Sequence, residues 1–327
     1  MHLALEIFVE LDLPSQLSVP MERVQKFIIA VKGRMEPNPY HGWHHVFDVT
    51  QTVLVFARHS GLLDRMSAME KFGLIVAALC HDLEHPGVNN LELIEKRPVY
   101  KEMRGGVSLE KHHSLRAFEV MVDTDIDLLS GFNTSTYYSF RDMVMNVILS
   151  TDMKRHGEFF ERAKNEGGVF SKMLDDEGEG KGKGTNMRRE DLLFGMQLLI
   201  KAADISNPIK PFPVAAKWAV RVTDEFFQQG DMELEAGLDV TPTCDRTRQT
   251  RVGLQKGFID FLAVPYFEVV ASVFPKIKED FARVYENRRL WDDMTDEELE
   301  ARYSYDDNDN LDGAGTEQST KKQPHTN

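Results

Sequence analysis

The stretch MEKFGLIVAALCHDLEH, Met69 to His85, decides how the chain folds. From Phe72 to Cys80 no side chain is charged, so the segment lacks a solvent face and reads as a helix buried nearly all round. It then runs into His81, Asp82, Glu84 and His85, with Pro86 following. Ionisable groups at the end of a buried helix are costly unless they are paired or bind a metal. A fold built on this helix packs others around it and gathers polar groups at one of its ends.

Helical periodicity recurs on both sides. MERVQKFIIAVKGRM places Val24, Phe27, Ile28 and Val31 on one face, and Gly33, Pro37 and Pro39 stop it. FRDMVMNVILSTDMKRH, REDLLFGMQLLIKAADIS and AAKWAVRVTDEFFQQGD also read as helices, as does KGFIDFLAVPYFEVVASVF with a kink predicted at Pro265. Two-residue alternation is scarce, so the predicted fold class is all-α. DDEGEGKGKGTN, Asp175 to Asn186, is predicted to be a flexible surface loop; it lacks both the preceding strand and the spacing of a phosphate-binding loop. Residues 1–303 are predicted to form a single domain and 304–327, polar and poor in aliphatics, a disordered tail.

Composition narrows the function. The 327 residues carry 39 basic and 53 acidic side chains, a net charge of −14. That balance argues against a nucleic-acid polymer or an anionic membrane as partner. A phosphate-bearing substrate would need local positive charge from side chains or bound cations. The two cysteines, Cys80 and Cys244, form no metal or disulfide pattern, and a reducing, cytoplasmic setting is expected. The longest apolar runs fall short of the ~20 residues that span a bilayer, and no signal peptide is evident at the N-terminus.

Three other stretches supply groups that match the polar end of the central helix. YHGWHHVFDV, Tyr40 to Val49, sets His41 and His45 four residues apart, which is one turn of a helix. LSTDMKRH places Asp152, and KAADISNP places Asp204, at the ends of two more helices. A lone histidine at a helix end is more often a cap than a ligand, and Asp204 before Ser-Asn-Pro could simply open a turn. Taken together, His45, His81, Asp82 and Asp204 would give two imidazoles and two carboxylates. This set suits Zn²⁺, and a bridging carboxylate could reach a second, harder ion.

The order His, His-Asp, Asp resembles that of the HD-type metal-dependent phosphohydrolases. YHGWHHVFDV and HDLEHPGVNN are similar to two signature blocks of the class I cyclic-nucleotide phosphodiesterases. KAADISNP, EFFQQGD and GLQKGFIDFL match three later blocks in the same order, so the likeness runs from about Arg34 to Ala271. Gly42 stands where the family usually has Asn, Val46 where it has Ala, and Glu84 where it has Asp. Parts of the first block are similar to protozoan members.

The resemblance implies a compact multi-helix catalytic domain with a binuclear metal site at the bottom of a deep pocket. It implies hydrolysis of a 3′,5′-cyclic nucleotide to the 5′-monophosphate by a metal-bridged hydroxide. His45, His81, Asp82 and Asp204 would bind the tighter metal, Zn²⁺, and Asp82 would bridge to Mg²⁺ or Mn²⁺. His41 would be the general acid to the ribose 3′-oxygen, held beside His45 by one turn of helix. Tyr40, His85 and Glu110 would orient the acid and the waters. Gln255 would read the purine and Phe258 stack on it against Val222. Trp218 and Phe226 would line the pocket, with Met153 on its metal side. Asn207 matches a position that points to cAMP, with dual cAMP/cGMP use also open. His44 receives no role. Members of this family usually carry regulatory modules outside the catalytic domain, and only about 35 residues precede the first motif, so an excised catalytic domain, with added modules or a homodimer, is expected. The alternatives are a phosphohydrolase acting on another nucleotide, which the Gln255/Phe258 block opposes, and an inactive nucleotide-binding module, which retention of His41 opposes.

Overall fold

Ser67 starts the central helix, Ala68–Cys80. Its hydroxyl accepts from the Glu70 N–H while the Glu70 carboxylate accepts from the Ser67 N–H, a reciprocal cap worth about 1 kcal/mol. The computed structural model describes residues 1–95, 108–175 and 187–305. Every side chain from Phe72 to Cys80 is buried, as the apolar run requires. Helices Trp43–His59, Leu109–Val122 and Thr134–Leu149 pack around it, and Arg189–Asp204 lies across the first and last of these. The described residues form helices and no strand, so the all-α expectation holds. No described helix is long and apolar enough to cross a membrane. The predicted loop beyond Asp175 and the tail beyond residue 305 lie outside the described residues.

One expectation needs correction, and another is given its form. The helix that carries His45 begins at Trp43, with extended Gly42 as its N-cap, so His41 lies in the turn before the helix and not on it. Pro37 and Pro39 keep the approach non-helical. A Cβ at Gly42 would meet only the Glu36 and Asn38 carbonyls, at 3.4 and 3.5 Å, so the position has room for a side chain. The predicted kink at Pro265 takes the form of a π-helical turn, Ile259–Ala263, between helices Arg251–Phe258 and Val264–Val273. Proline has no N–H to continue the regular ladder, and a wider turn ahead of it absorbs the mismatch.

The helix Phe212–Glu235 is set deep by Gly230. A Cβ there would sit 2.1 Å from the Cys244 carbonyl oxygen, so only glycine allows the 242–244 turn to approach. Because the obstacle is backbone, Gly230→Ala should destabilise the protein by about 2–3 kcal/mol. An unchanged midpoint in urea unfolding would contradict that close approach.

Candidate active site

His81 caps the C-terminus of the central helix and donates its Nδ1–H to the Ala78 carbonyl at 2.8 Å. That bond leaves Nε2 as the lone pair facing outward, the tautomer a metal ligand needs. His45 Nε2, from the first turn of Trp43–His59, lies 3.1 Å from Asp204 Oδ1 and 3.3 Å from Asp82 Oδ2. His81 Nε2 is 3.3 Å from each of the same two oxygens. Ligands ~2.0 Å from one tetrahedral ion stand ~3.3 Å apart, so the spacing fits a single divalent cation.

The electrostatics fit as well. Burial alone would raise both carboxyls, yet the His45 and His81 imidazoles hold Asp82 and Asp204 below the ordinary carboxylate value. Burial opposes charge on His81, yet Asp82 and Asp204 hold its pKa well above the ordinary imidazole value. A cation bound among these groups would take over the role of counter-charge to the two carboxylates. Asp82 Oδ2 and His45 Nδ1 are buried without a hydrogen-bond partner, Oδ2 lying near the imidazoles but aligned with neither. Neither carboxylate has a lysine or arginine partner among the described residues. Asp152 stands apart from this set: its carboxylate caps the Lys154 N–H at 2.8 Å.

His41 is held from the opposite side by Glu225. Its Nδ1–H donates to Glu225 Oε1, while the Tyr40 and His41 backbone N–H groups both donate to Oε2 at 3.0 Å. Burial pushes the His41 pKa down, but the Glu225 carboxylate outweighs it and lifts the imidazole to about 9. Glu225, raised by burial and lowered more by His41, falls to about 2. His85 stacks on His41 with ring centroids 3.9 Å apart. It accepts the Gly87 N–H at Nδ1, and burial and the neighbouring His41 hold it well below the ordinary imidazole value. Of the two stacked rings, His41 carries the proton.

Glu225, His113 and Asn38 were not singled out in the sequence. Glu225 belongs to a stripe, Glu225, Gln229 and Glu233, repeating every four residues and buried along Phe212–Glu235. Gln229 accepts the Asn89 N–H at 2.7 Å and Glu233 accepts Asn90 Nδ2 at 2.9 Å, so one helix face fixes two motif loops. That four-residue spacing of polar groups was the available signal. His113 donates Nδ1–H to Leu83 O at 2.7 Å, which turns Nε2 toward Asp82 Oδ1 at 4.0 Å. Burial lowers its pKa to about 4, so it is neutral and an acceptor there. Asn38 Nδ2 donates to the His41 and His85 carbonyls at 2.9 and 2.8 Å. Glu84, at φ 61°, points away to Arg116 and His112 and ties the Asp82 loop to Leu109–Val122.

The cluster opens into a cavity of about 330 Å³. Tyr40, His41, Asp82, His85, Glu110, Met153 and Asp204 are among its lining. Asn207, Trp218, Val222, Phe226, Gln255 and Phe258 line it too, so all the candidate pocket residues share one cavity. Burial raises the Glu110 carboxyl, and Asp152 and Asp82 add to the shift. Asn207 does not present a free amide: its Nδ2 donates to Tyr40 Oη at 2.6 Å. The Gln255 amide makes no protein hydrogen bond among the described residues, although it is buried at the cavity wall.

Among the described residues, an all-helical fold sets a His/Asp cluster that could hold a metal ion beside a cavity, the arrangement of a candidate metal-dependent enzyme. Residues 40–284 match the family model of the 3′,5′-cyclic nucleotide phosphodiesterases, and the chain belongs to that family. It is similar to the 3′,5′-cyclic-nucleotide phosphodiesterase regA of Dictyostelium discoideum, 32% identical over 94% of this chain and 38% of that one. It is also similar to the high affinity cGMP-specific 3′,5′-cyclic phosphodiesterase 9A of Mus musculus, 31% identical over 87% of this chain and 51% of the relative. The chain thus spans about half or less of the length of these curated relatives. The solved structure of LmjPDEB1 in complex with IBMX superposes with a TM-score of 0.78 at 29% identity, covering 89% of this chain and 84% of that one.

Proposed function

We propose that the chain hydrolyses a purine 3′,5′-cyclic nucleotide to the 5′-monophosphate, with His41 as the acid that protonates the leaving 3′-oxygen. The observation that carries this reading is one cavity lined by the Glu225-bound His41, by Asp82 and Asp204 of the His45/His81/Asp82/Asp204 cluster, and by Gln255 and Phe258. Divalent cations, Zn²⁺ at the four-ligand set and Mg²⁺ or Mn²⁺ at a second position beside Asp82, would neutralise phosphate charge and acidify a water toward neutral pH. Glu225 occupies His41 Nδ1, which leaves Nε2 for the substrate. As the P–O3′ bond breaks, the His41 proton passes to the ribose oxygen and the new P–O bond takes its oxygen from water. Tyr40 and His85 pack on the His41 ring and hold its plane.

Gln255 is available to hydrogen-bond a purine edge through both its oxygen and its NH₂. Phe258 and Val222 supply apolar area for the base. Gln255→Ala should raise KM for cyclic nucleotide by ~10-fold with little change in kcat, the pattern of lost uniform binding. An unaltered KM would remove Gln255 from base recognition.

The bond from Asn207 Nδ2 to Tyr40 leaves Oδ1 as an acceptor, which suits the 6-amino group of adenine better than the 6-oxygen of guanine. This supports a preference for cAMP. A cGMP-preferring reading has the likeness to phosphodiesterase 9A behind it. Parallel kcat/KM values for cAMP and cGMP decide between them: a higher value for cAMP supports the Asn207 reading, and a higher value for cGMP overturns it. No turnover of either nucleotide would overturn the proposed function itself.

A further inference from the structure

Lys201 is fully buried on the helix Arg189–Asp204, one turn before Asp204. Lysine is almost never buried without a partner anion, and among the described residues no carboxylate lies within ion-pair distance of Nζ. Its partners are neutral: the Ser150, Thr151 and Asp152 carbonyls at 3.4, 3.4 and 3.3 Å, and Met153 Sδ at 3.7 Å.

These carbonyls follow the end of Thr134–Leu149, where a helix leaves its last acceptors without intrahelical donors. The chain satisfies them in order. Val147 O accepts from the Ser150 N–H and hydroxyl, and Ile148 O from the Thr151 N–H and hydroxyl. The Ser150, Thr151 and Asp152 carbonyls, just past the helix end, converge on the ammonium, which also meets the negative end of the helix dipole. Burial pushes Lys201 toward its neutral form, while Asp204, Asp152 and Glu110 pull it back.

We propose that Lys201 is a positioning residue: it clamps the 150–153 turn to the helix that carries Asp204, and so sets the cavity wall formed by Thr151 and Met153 against the cluster. Thr151, Met153 and Asp204 line the same cavity, and no other side chain described here bonds all three carbonyls of the turn. Misplacement of that wall acts on the phosphate side and leaves the Gln255/Phe258 side in place. The signature is therefore in kcat more than in KM.

The test compares the wild type with Lys201→Met, which keeps the length and removes the charge, and Lys201→Gln, which keeps a donor. Two readouts are taken on the folded, metal-loaded protein. In Lys201→Met, hydrogen exchange at the Ser150, Thr151 and Arg155 amides should quicken ~10-fold relative to the rest of the chain, and Lys201→Gln should recover part of the protection. The kinetic half rests on the proposed hydrolysis: kcat for cyclic nucleotide should fall ~10-fold in Lys201→Met with KM changed less than ~3-fold. Unchanged local exchange, or a uniform loss of protection with kcat intact, would overturn the clamp. If the wild type turns over no cyclic nucleotide, the functional reading fails while the exchange data still decide the clamp. If Lys201→Met does not fold, Lys201→Gln carries both readouts, with a local rise in exchange and a lower kcat expected; wild-type values for both would overturn the proposal.

Discussion

Replacing His41 by alanine is expected to lower kcat for cyclic nucleotide by ~10²–10⁴, the usual contribution of a positioned acid, while the divalent metal stays bound. The imidazole is not one of the four candidate ligands: it meets His45 only edge to face, with ring centroids 5.7 Å apart, and its hydrogen-bond partner is Glu225. Glu225 gives the acid a pH signature. His41 must be protonated to act, so activity falls as pH rises through its pKa, lifted to about 9 in the free protein. Glu225→Gln removes the carboxylate that lifts it, so the alkaline limb of kcat should move to lower pH. An alkaline limb that stays in place would detach Glu225 from the acid. The same pair contributes to stability. Its full contribution lies above the ordinary glutamate value of 4.5 and below the ordinary imidazole value of 6.5. It is lost as pH falls through about 2 or rises through about 9.

Asp204→Ala is expected to strip the tightly held ion and lower kcat by at least ~10³, since metal charge stabilisation is worth several kcal/mol in the transition state. Among the described residues, Asp204 Oδ1 is the one carboxylate oxygen besides Asp82 Oδ2 within 3.3 Å of both the His45 and His81 imidazoles. Without it the set falls to three donors, and His45 and His81 lose one of the two carboxylates that balance them. Elemental analysis of the purified variant checks the assignment, and a full complement of metal would remove Asp204 from the ligand set.

The central helix was legible because nine successive uncharged positions leave it no solvent face, and because the polar run from His81 to His85 marks where it ends. The His45/His81/Asp82/Asp204 grouping was legible by residue type and order, with family resemblance supplying the partners that sequence distance hides. Other features depended on contacts that no local pattern encodes. Glu225 reads as an exposed residue of an amphipathic helix until the 38–41 turn is packed against it. His41 looked helical by spacing, but two prolines and the Gly42 cap delay the helix start to Trp43. His113 is masked by its neighbour His112, which turns to Glu84 while His113 turns to Asp82. Asn207 was read as a nucleotide-selecting position, but no local pattern showed that its NH₂ goes to Tyr40 and only Oδ1 is left to meet a base.

The most direct test is turnover of cAMP and cGMP by the purified chain before chelation, after removal of divalent metal, and after its return, with the product identified chromatographically. The expected result is nucleoside 5′-monophosphate from at least one substrate, abolished by chelation and restored by divalent cation. Turnover that survives complete metal removal, or a metal-loaded, folded protein that hydrolyses neither nucleotide, would contradict the assignment of this site.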